Sequence, residues 1–459
     1  MWPLRTIGFL GIFLTACVAA AYYPIIGLAN YVAIYHLYPE SHWWGRPLLP
    51  LGIRYSLWAA VSMLVGMTIG AVTRRLPENR PALTLWEMLA AGLVVLAVLS
   101  YYTADSVVPV QTQMLDKFLK MMLFVFCFVR LATKWSGFMT VVWVFVVGSL
   151  LLGHEAYHIP PQEFVLGRLQ SIGGTDFRAS SGFAAHMSAM LPFIGAAFLA
   201  TRTWWVRIIP LIAAVLSFNA VVLCRTRSAF LGLAAGVLTA ALMAPRSWRW
   251  KLYPGLIVAV AGAYFLIDPH FVERMETMKT PESRQADAAI SLRYEIWEAG
   301  LSMVAAEPMG VGIGAFGFRI GEWNPELHGR AAHNTLLLCA VELGVPGLIV
   351  YVLIVLVSLW QLHSVYRRSD ETDDPRQTRI WAFAVFVSLV IYLTAGQFTE
   401  RFYTESLWWI LAMPTCLQRI AMREIHARTR AAQADDWLHG DADQVSFGDA
   451  LPAARVSTG

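Results

Sequence analysis

The 459-residue chain is short of charge: 14% of its residues are Asp, Glu, Lys or Arg, while 57% are hydrophobic. Soluble domains carry about 25% charge, so the deficit points to a polytopic membrane protein. Paired cysteines are missing too. Cys17, Cys127, Cys224, Cys339 and Cys416 stand singly, mostly inside apolar runs, and with no CxxC pair they offer neither a disulfide framework nor a metal site. No internal repeat is apparent. The one glycine-rich run, Gly310-Val311-Gly312-Ile313-Gly314, lacks a P-loop lysine and follows no strand of a dinucleotide-binding unit. Nucleotide binding is therefore not expected there, and a tight loop lying close to another backbone is the better reading. The net charge of +4 reports membrane topology rather than a nucleic-acid partner.

Long apolar runs are what the chain has in abundance. A run of roughly 18 residues or more can cross a hydrocarbon core about 30 Å thick. Candidate spans are 5–36, 51–71, 82–100, 113–131, 135–153, 181–201, 208–223, 226–244, 251–267, 334–363, 380–397 and 403–420. The first is too long for one straight helix, and Pro24 and Gly27 allow a kinked span or two short helices, giving twelve or thirteen in all. Leu14-Thr15-Ala16-Cys17 resembles a lipoprotein signal, but the apolar pattern runs straight on, so a first membrane helix is the better reading. The expected fold is all-α: about twelve transmembrane helices in one domain over 1–420, and a disordered, cytoplasmic Ala- and Asp-rich tail over 421–459.

Basic residues set the orientation. Arg74, Arg75 and Arg80; Arg130 and Lys134; Arg202 and Arg207; Arg246, Arg249 and Lys251; Arg367, Arg368, Arg376 and Arg379; and Arg419, Arg423, Arg428 and Arg430 all fall on alternate connections. By the positive-inside rule that face is cytoplasmic. With twelve spans both termini then lie on the cytoplasmic side, and 37–50, 101–112, 154–180, 268–333 and 398–402 lie outside.

Against that bias, some cations face outward. Arg225 and Arg227 occupy the tight turn between two spans, and Arg293 and His333 belong to the long 268–333 loop. Arginines at span ends can snorkel to lipid phosphates, but Arg227 opens a helix beside Ser228, Ala229 and Gly232, whose small size admits a close partner. A helix is expected over Ile290–Ala306, stopping before Pro308. Leu292, Ile296, Gly300 and Met303 form its apolar stripe, suited to the membrane surface or to the bundle. Arg293 and Trp297 lie four apart on one face. The pair can be simple packing, or a guanidinium held over the ring to bind phosphate bidentately. His333, beside Asn334 at the start of a span, has the ordinary pKa of a general base. Glu342 lies about 13 Å deeper along that helix, too far for simple contact, so it reads as an anchor to a neighbour as readily as a functional carboxylate. Gly344-Val345-Pro346-Gly347 is expected to bend the helix.

Location narrows the reaction. Nucleotide-sugar donors are not available outside the cytoplasmic membrane, so an outward-facing transferase needs a substrate that carries its own leaving group, as a polyprenyl-diphosphate glycan does. Two arginines can stabilise the departing diphosphate and a histidine can deprotonate the incoming hydroxyl. No clustered Asp/Glu metal site stands on the outer connections, and no cofactor is expected.

Taken together, Arg227 at a helix start, Arg293-x-x-x-Trp297, the spaced glycines of Pro308–Phe316, and His333-Asn334 followed by Glu342-Leu343-Gly344-x-x-Gly347 resemble the O-antigen ligase and polymerase superfamily of bacterial membrane glycosyltransferases. The resemblance covers about 170–350 well. Pro24, Gly27, Tyr35, Pro39 and the Pro47–Arg54 run are similar to the O-glycosylation ligases of exosortase-type gene clusters. The resemblance implies metal-independent, inverting transfer of a glycan from undecaprenyl diphosphate to a hydroxyl of lipid A-core or protein on the periplasmic face. It implies Arg227 and Arg293 on the diphosphate, His333 as base, and Arg225, Trp297, Asn334 and His186 around the substrate, with Glu342, Gly344 and Gly347 structural. Many relatives have Asn or Asp where this chain reads Gly182-Phe183-Ala184-Ala185-His186, and His186 is the candidate replacement. A polysaccharide polymerase shares fold and donor and stays open as an alternative. A secondary transporter is the more distant one, disfavoured because such folds usually repeat their halves.

Overall fold

The computed structural model describes residues 4–445, except 53, 74–81, 105–106, 166, 245–247, 251–252, 255–256 and 258–283. Most of the expected 251–267 span and residues 268–283 of the 268–333 loop thus lie outside the described residues. The described chain is all-helical, with one isolated β-bridge between Val165 and Arg168. The helices are α1 (Leu4–Tyr22), α2 (Pro24–Leu37), α3 (Tyr55–Val72), α4 (Leu85–Thr103), α5 (Pro109–Leu131), α6 (Trp135–His158), α7 (Ser180–Ala200), α8 (Ile208–Cys224) and α9 (Arg227–Met243). They continue as α10 (Arg284–Ala306), the short α11 (Phe316–Arg319), α12 (Thr335–Arg367), α13 (Pro375–Gly396) and α14 (Glu405–Val445). Among the described residues, seven helices are long and apolar enough to cross a membrane: α1, α3, α4, α6, α7, α12 and α13. The apolar α8 and α9 are shorter.

Pro24 resolves the over-long first run. Tyr23 leaves helical geometry, Pro24 opens α2 at a position that needs no N–H donor, and the chain folds back on itself. A Cβ on Gly27 would sit 2.9 Å from Ala20 Cβ, Asn30 reaches Cys17, and Phe13 clusters with Ile34. Those pairings run in opposite directions, so α1 and α2 are an antiparallel hairpin. Gly27 and Gly66 let it close onto α3, where added side chains would meet Met63 and the Ala20 carbonyl. One consequence corrects the expected topology. Leu4 shares an end of the bundle with the α2–α3 connection, whereas α14 runs from Glu405 at that end to Arg419 and Glu424 at the other. The two described ends of the chain therefore lie at opposite ends of the bundle, not together.

A second correction concerns the tail. Residues 421–445 continue α14 rather than forming a disordered segment, because Ala, Arg, Glu and Gln are strong helix formers and the helix has partners. Glu424 accepts from Trp135 Nε1 at 2.8 Å, and Arg428 Nε donates to Asp373 at 3.0 Å. Residues 446–459 lie outside the described residues.

At that same end, two of the expected topology arginines have a structural task. The Glu87 side chain is almost fully buried and pairs with Arg130 at 2.8 Å and Arg419 at 2.6 Å, joining α4, α5 and α14. It also closes a capping box with Thr84. Removing one member of a buried ionic group leaves the others unpaired, at a cost of about 3–5 kcal/mol. Glu87→Ala is expected to lower the thermal unfolding midpoint clearly, while Asp116→Ala, whose Lys120 partner is exposed, leaves it nearly unchanged. Equal midpoints for the two variants would remove the latch.

Candidate functional site

The site lies at the end of the bundle opposite this latch, where α9 starts, α10 lies across the start of α12, and the 397–404 connection joins α13 to α14. Ile296 and Met303 are the buried face of α10, and a side chain on Gly300 would reach within 2.9 Å of Leu337. The apolar stripe thus packs on the bundle. Arg293 projects from the same helix and is exposed.

Three cations meet here. Burial first, and then the charge of Arg227, lower the Arg293 pKa. Burial, Arg293 and Arg401 lower that of His333. Arg293, far from both in sequence, is therefore near enough to Arg227 and to His333 for charge to be felt between them. No described carboxylate forms an ion pair with Arg293. Cations that repel one another in one place suit an anion bearing several oxygens.

His333 is held by its backbone. Its φ of 49° lies in the left-handed region, where a non-glycine residue persists only under constraint. Glu400 supplies part of that constraint by accepting from the backbone N–H groups of Ala332 and His333. Trp297 supplies more, its indole N–H donating to the Ala332 carbonyl at 3.0 Å. No described ring contact joins Trp297 to Arg293; its ring neighbour is Tyr294, with centroids 6.0 Å apart. Trp297 thus braces the residue before His333 instead of carrying the guanidinium. Asn334 caps α12, its side-chain oxygen accepting from the Leu337 N–H at 3.0 Å. These two, expected around the substrate, both have positioning duties.

Arg225 and His186 also differ from expectation. Arg225 ends α8 in a left-handed turn and donates to the Gly167 carbonyl at 2.7 Å, tying in the 159–179 connection. His186 is 0% exposed, enclosed by Phe177, His36 and Tyr35, and neither ring nitrogen has a partner. α7 carries it into the core.

Sequence reasoning missed Arg401 and Glu400. Arg401 is 8% exposed, donates its backbone N–H to Thr335 Oγ1 at 3.0 Å, and reaches the Asp176 carbonyl with Nη1 at 3.3 Å. Its Nε has no partner. A Cβ on Gly182 would come within 2.3 Å of Nη1, so the missing side chain at this glycine leaves the space the guanidinium occupies. The available signal was an acid–base pair in a short connection between two apolar spans.

Glu342 is the keystone of the glycine loop. Its carboxylate accepts from Gly314 N at 2.8 Å, Phe316 N at 3.1 Å and the Tyr403 hydroxyl. α12 breaks beside it, at Gly344 with φ 70°. Through the break, Val345 N donates to the Pro308 carbonyl at 2.8 Å, and Val311 N to that of Val341 at 2.9 Å. A Cβ on Gly310 would meet Gly344 N at 2.5 Å, so the loop docks backbone on backbone. A Cβ on Gly347 would likewise strike that of Leu343 at 2.3 Å.

Residues 212–352 match the family model described as O-antigen ligase. Over that stretch the chain is similar to the O-antigen ligase superfamily. No curated protein gives a significant match. The O-antigen ligase segment contains Arg225, Arg227, Arg293, Trp297, His333, Asn334 and Glu342; His186, Glu400 and Arg401 lie outside it.

The lowered His333 pKa gives a sign to the pH dependence. Were His333 a general base, which acts when neutral, the acid limb of kcat/KM would fall below the ordinary histidine value of about 6.5. Arg401→Gln removes one charge that disfavours the imidazolium, so His333 becomes easier to protonate and the limb moves up. A limb that stays in place, or moves down, would contradict the coupling.

Proposed function

We propose that this protein transfers a glycan from undecaprenyl diphosphate to an acceptor hydroxyl at the periplasmic face of the bacterial inner membrane. The acceptor is a sugar of lipid A-core or a protein side chain. The convergence of Arg227, Arg293 and His333 carries the reading, and the O-antigen ligase match over 212–352 supports it. The orientation is supported by the basic residues at the latch end, including Arg130, Arg419, Arg423 and Arg428.

In this mechanism His333 takes the proton of the acceptor hydroxyl, and the oxygen attacks the anomeric carbon from the side away from the diphosphate. The new C–O bond forms as the bond to the diphosphate breaks. The electron pair leaves with the diphosphate, whose growing charge Arg227 and Arg293 stabilise. The step is metal-independent and inverts the anomeric centre. Proteoliposomes given an α-linked donor on undecaprenyl diphosphate and a purified acceptor should yield a β-linked product and free undecaprenyl diphosphate. A retained α linkage would contradict direct displacement, and absence of transfer with both lipid A-core and protein acceptors would remove the ligase reading.

A further inference from the structure

Beyond Arg401, a cavity of about 140 Å³ lies between the end of α2, the start of α3, the 174–176 turn and the start of α14. Tyr31, Tyr35 and Tyr38 contribute to its wall, together with Ser56, Asp176 and Glu405. Asp176 is the buried hub. It pairs with Lys117 at 2.5 Å, accepts from the Tyr35 hydroxyl at 3.0 Å and from Glu405 N at 3.1 Å, and its carbonyl receives Arg401. Glu405 is less satisfied. One oxygen accepts from Tyr31 at 3.0 Å, while the other is buried and has no partner. An unsatisfied buried acceptor costs about 1–3 kcal/mol, and more when charged, so its retention asks for a reason.

The cavity's size and lining specify a ligand. A space of about 150 Å³ accepts a six-membered ring such as benzene when its walls are apolar. These walls are aromatic and acidic, so the ring they suit carries hydroxyl donors around an apolar face. Carboxylates accept from hydroxyls, and tyrosine supplies flat area with a polar edge. Lys117 and Arg401 are already engaged by Asp176, so the lining offers hydroxyl-binding groups rather than free cations for a phosphate. The cationic group around His333 has the opposite preference.

The geometry points to this cavity as a pyranose-binding subsite, joined to His333 through Arg401 and Asp176, that holds a sugar ring of the glycan substrates. The inference deepens the transferase reading and rests on it for the source of the sugar; binding itself can be tested without turnover. Saturation-transfer NMR on the full chain in nanodiscs, with methyl glycosides of glucose, galactose and N-acetylglucosamine as probes, should transfer magnetisation from the protein to ring protons of at least one glycoside. The signal should persist in His333→Ala, vanish in Ser56→Trp, which fills the cavity from the exposed start of α3, and show at least tenfold weaker affinity in Glu405→Gln. Displacement by an undecaprenyl-diphosphate glycan assigns the subsite to the donor; displacement by free acceptor saccharide assigns it to the acceptor. No transfer from the wild type, or equal transfer from Ser56→Trp, overturns the inference. A chain that binds glycosides but moves no glycan keeps the subsite and loses the transferase reading, so the two failures are distinguishable.

Discussion

His333→Ala is expected to reduce glycan transfer by about 10²–10⁴-fold while the protein still inserts, folds and binds its donor. The size follows from the role: without the imidazole, the acceptor hydroxyl must attack before losing its proton. The fold should tolerate the change because backbone groups hold the position. Glu400 accepts from the N–H groups of Ala332 and His333, and Trp297 donates to the Ala332 carbonyl, none of which involves the imidazole. Alanine in the left-handed region is strained, so His333→Asn, which enters that region readily, separates loss of the base from loss of backbone geometry. Asn should be as inactive as Ala. Full activity in His333→Asn would remove the base from the mechanism, and a rescue confined to Asn would reassign His333 to backbone shape.

Arg293→Ala is expected to cost about 10²–10³-fold in transfer, the usual range for removing one donor that faces developing charge. Arg293→Lys should restore little, because a diphosphate rewards a planar two-pronged donor over a point charge. The loss should differ in kind from that of His333→Ala, since the guanidinium contacts the donor before reaction as well as during it. Donor affinity and turnover should therefore fall together, and affinity should weaken more steeply with added salt in the wild type than in the variant. A variant with normal donor affinity and normal turnover would leave Arg293 as a surface arginine.

Much of this arrangement was legible in the sequence because of its physical causes. A run of apolar residues has one stable backbone in lipid, the helix, so the helices from α3 to α9 and α12 to α13 followed from composition. The stripe of Ile296, Gly300 and Met303 announced the buried face of α10. Positively charged side chains on the expected outer face singled out Arg227, Arg293 and His333 before any geometry was known.

The remainder depended on three-dimensional closure. Pro24 could kink one helix or fold two, and only Ala20 against Gly27 decides between them. Trp297, Asn334 and Arg225 have side chains that suit a substrate as well as they suit a backbone, and a sequence does not say which carbonyl or N–H lies within 3 Å. His186 occupied a motif position that invited a polar role, but α7 turns it inward. Arg401 was hidden because its value comes from burial: an arginine in a short turn is ordinary until Gly182 makes room to enclose it. The helical 421–445 segment was misread because polar residues were weighed as solvated rather than as helix formers with partners on Asp373 and Trp135.

The account's central claim is one centre at which arginines hold the donor diphosphate and His333 activates the acceptor. Single-turnover transfer from a labelled undecaprenyl-diphosphate glycan, with donor binding measured on the same samples, tests it most directly. The account predicts that His333→Asn binds donor as the wild type does and transfers almost none, while Arg293→Ala loses both. Transfer by His333→Asn at the wild-type rate, or donor binding unchanged in Arg293→Ala, would contradict it.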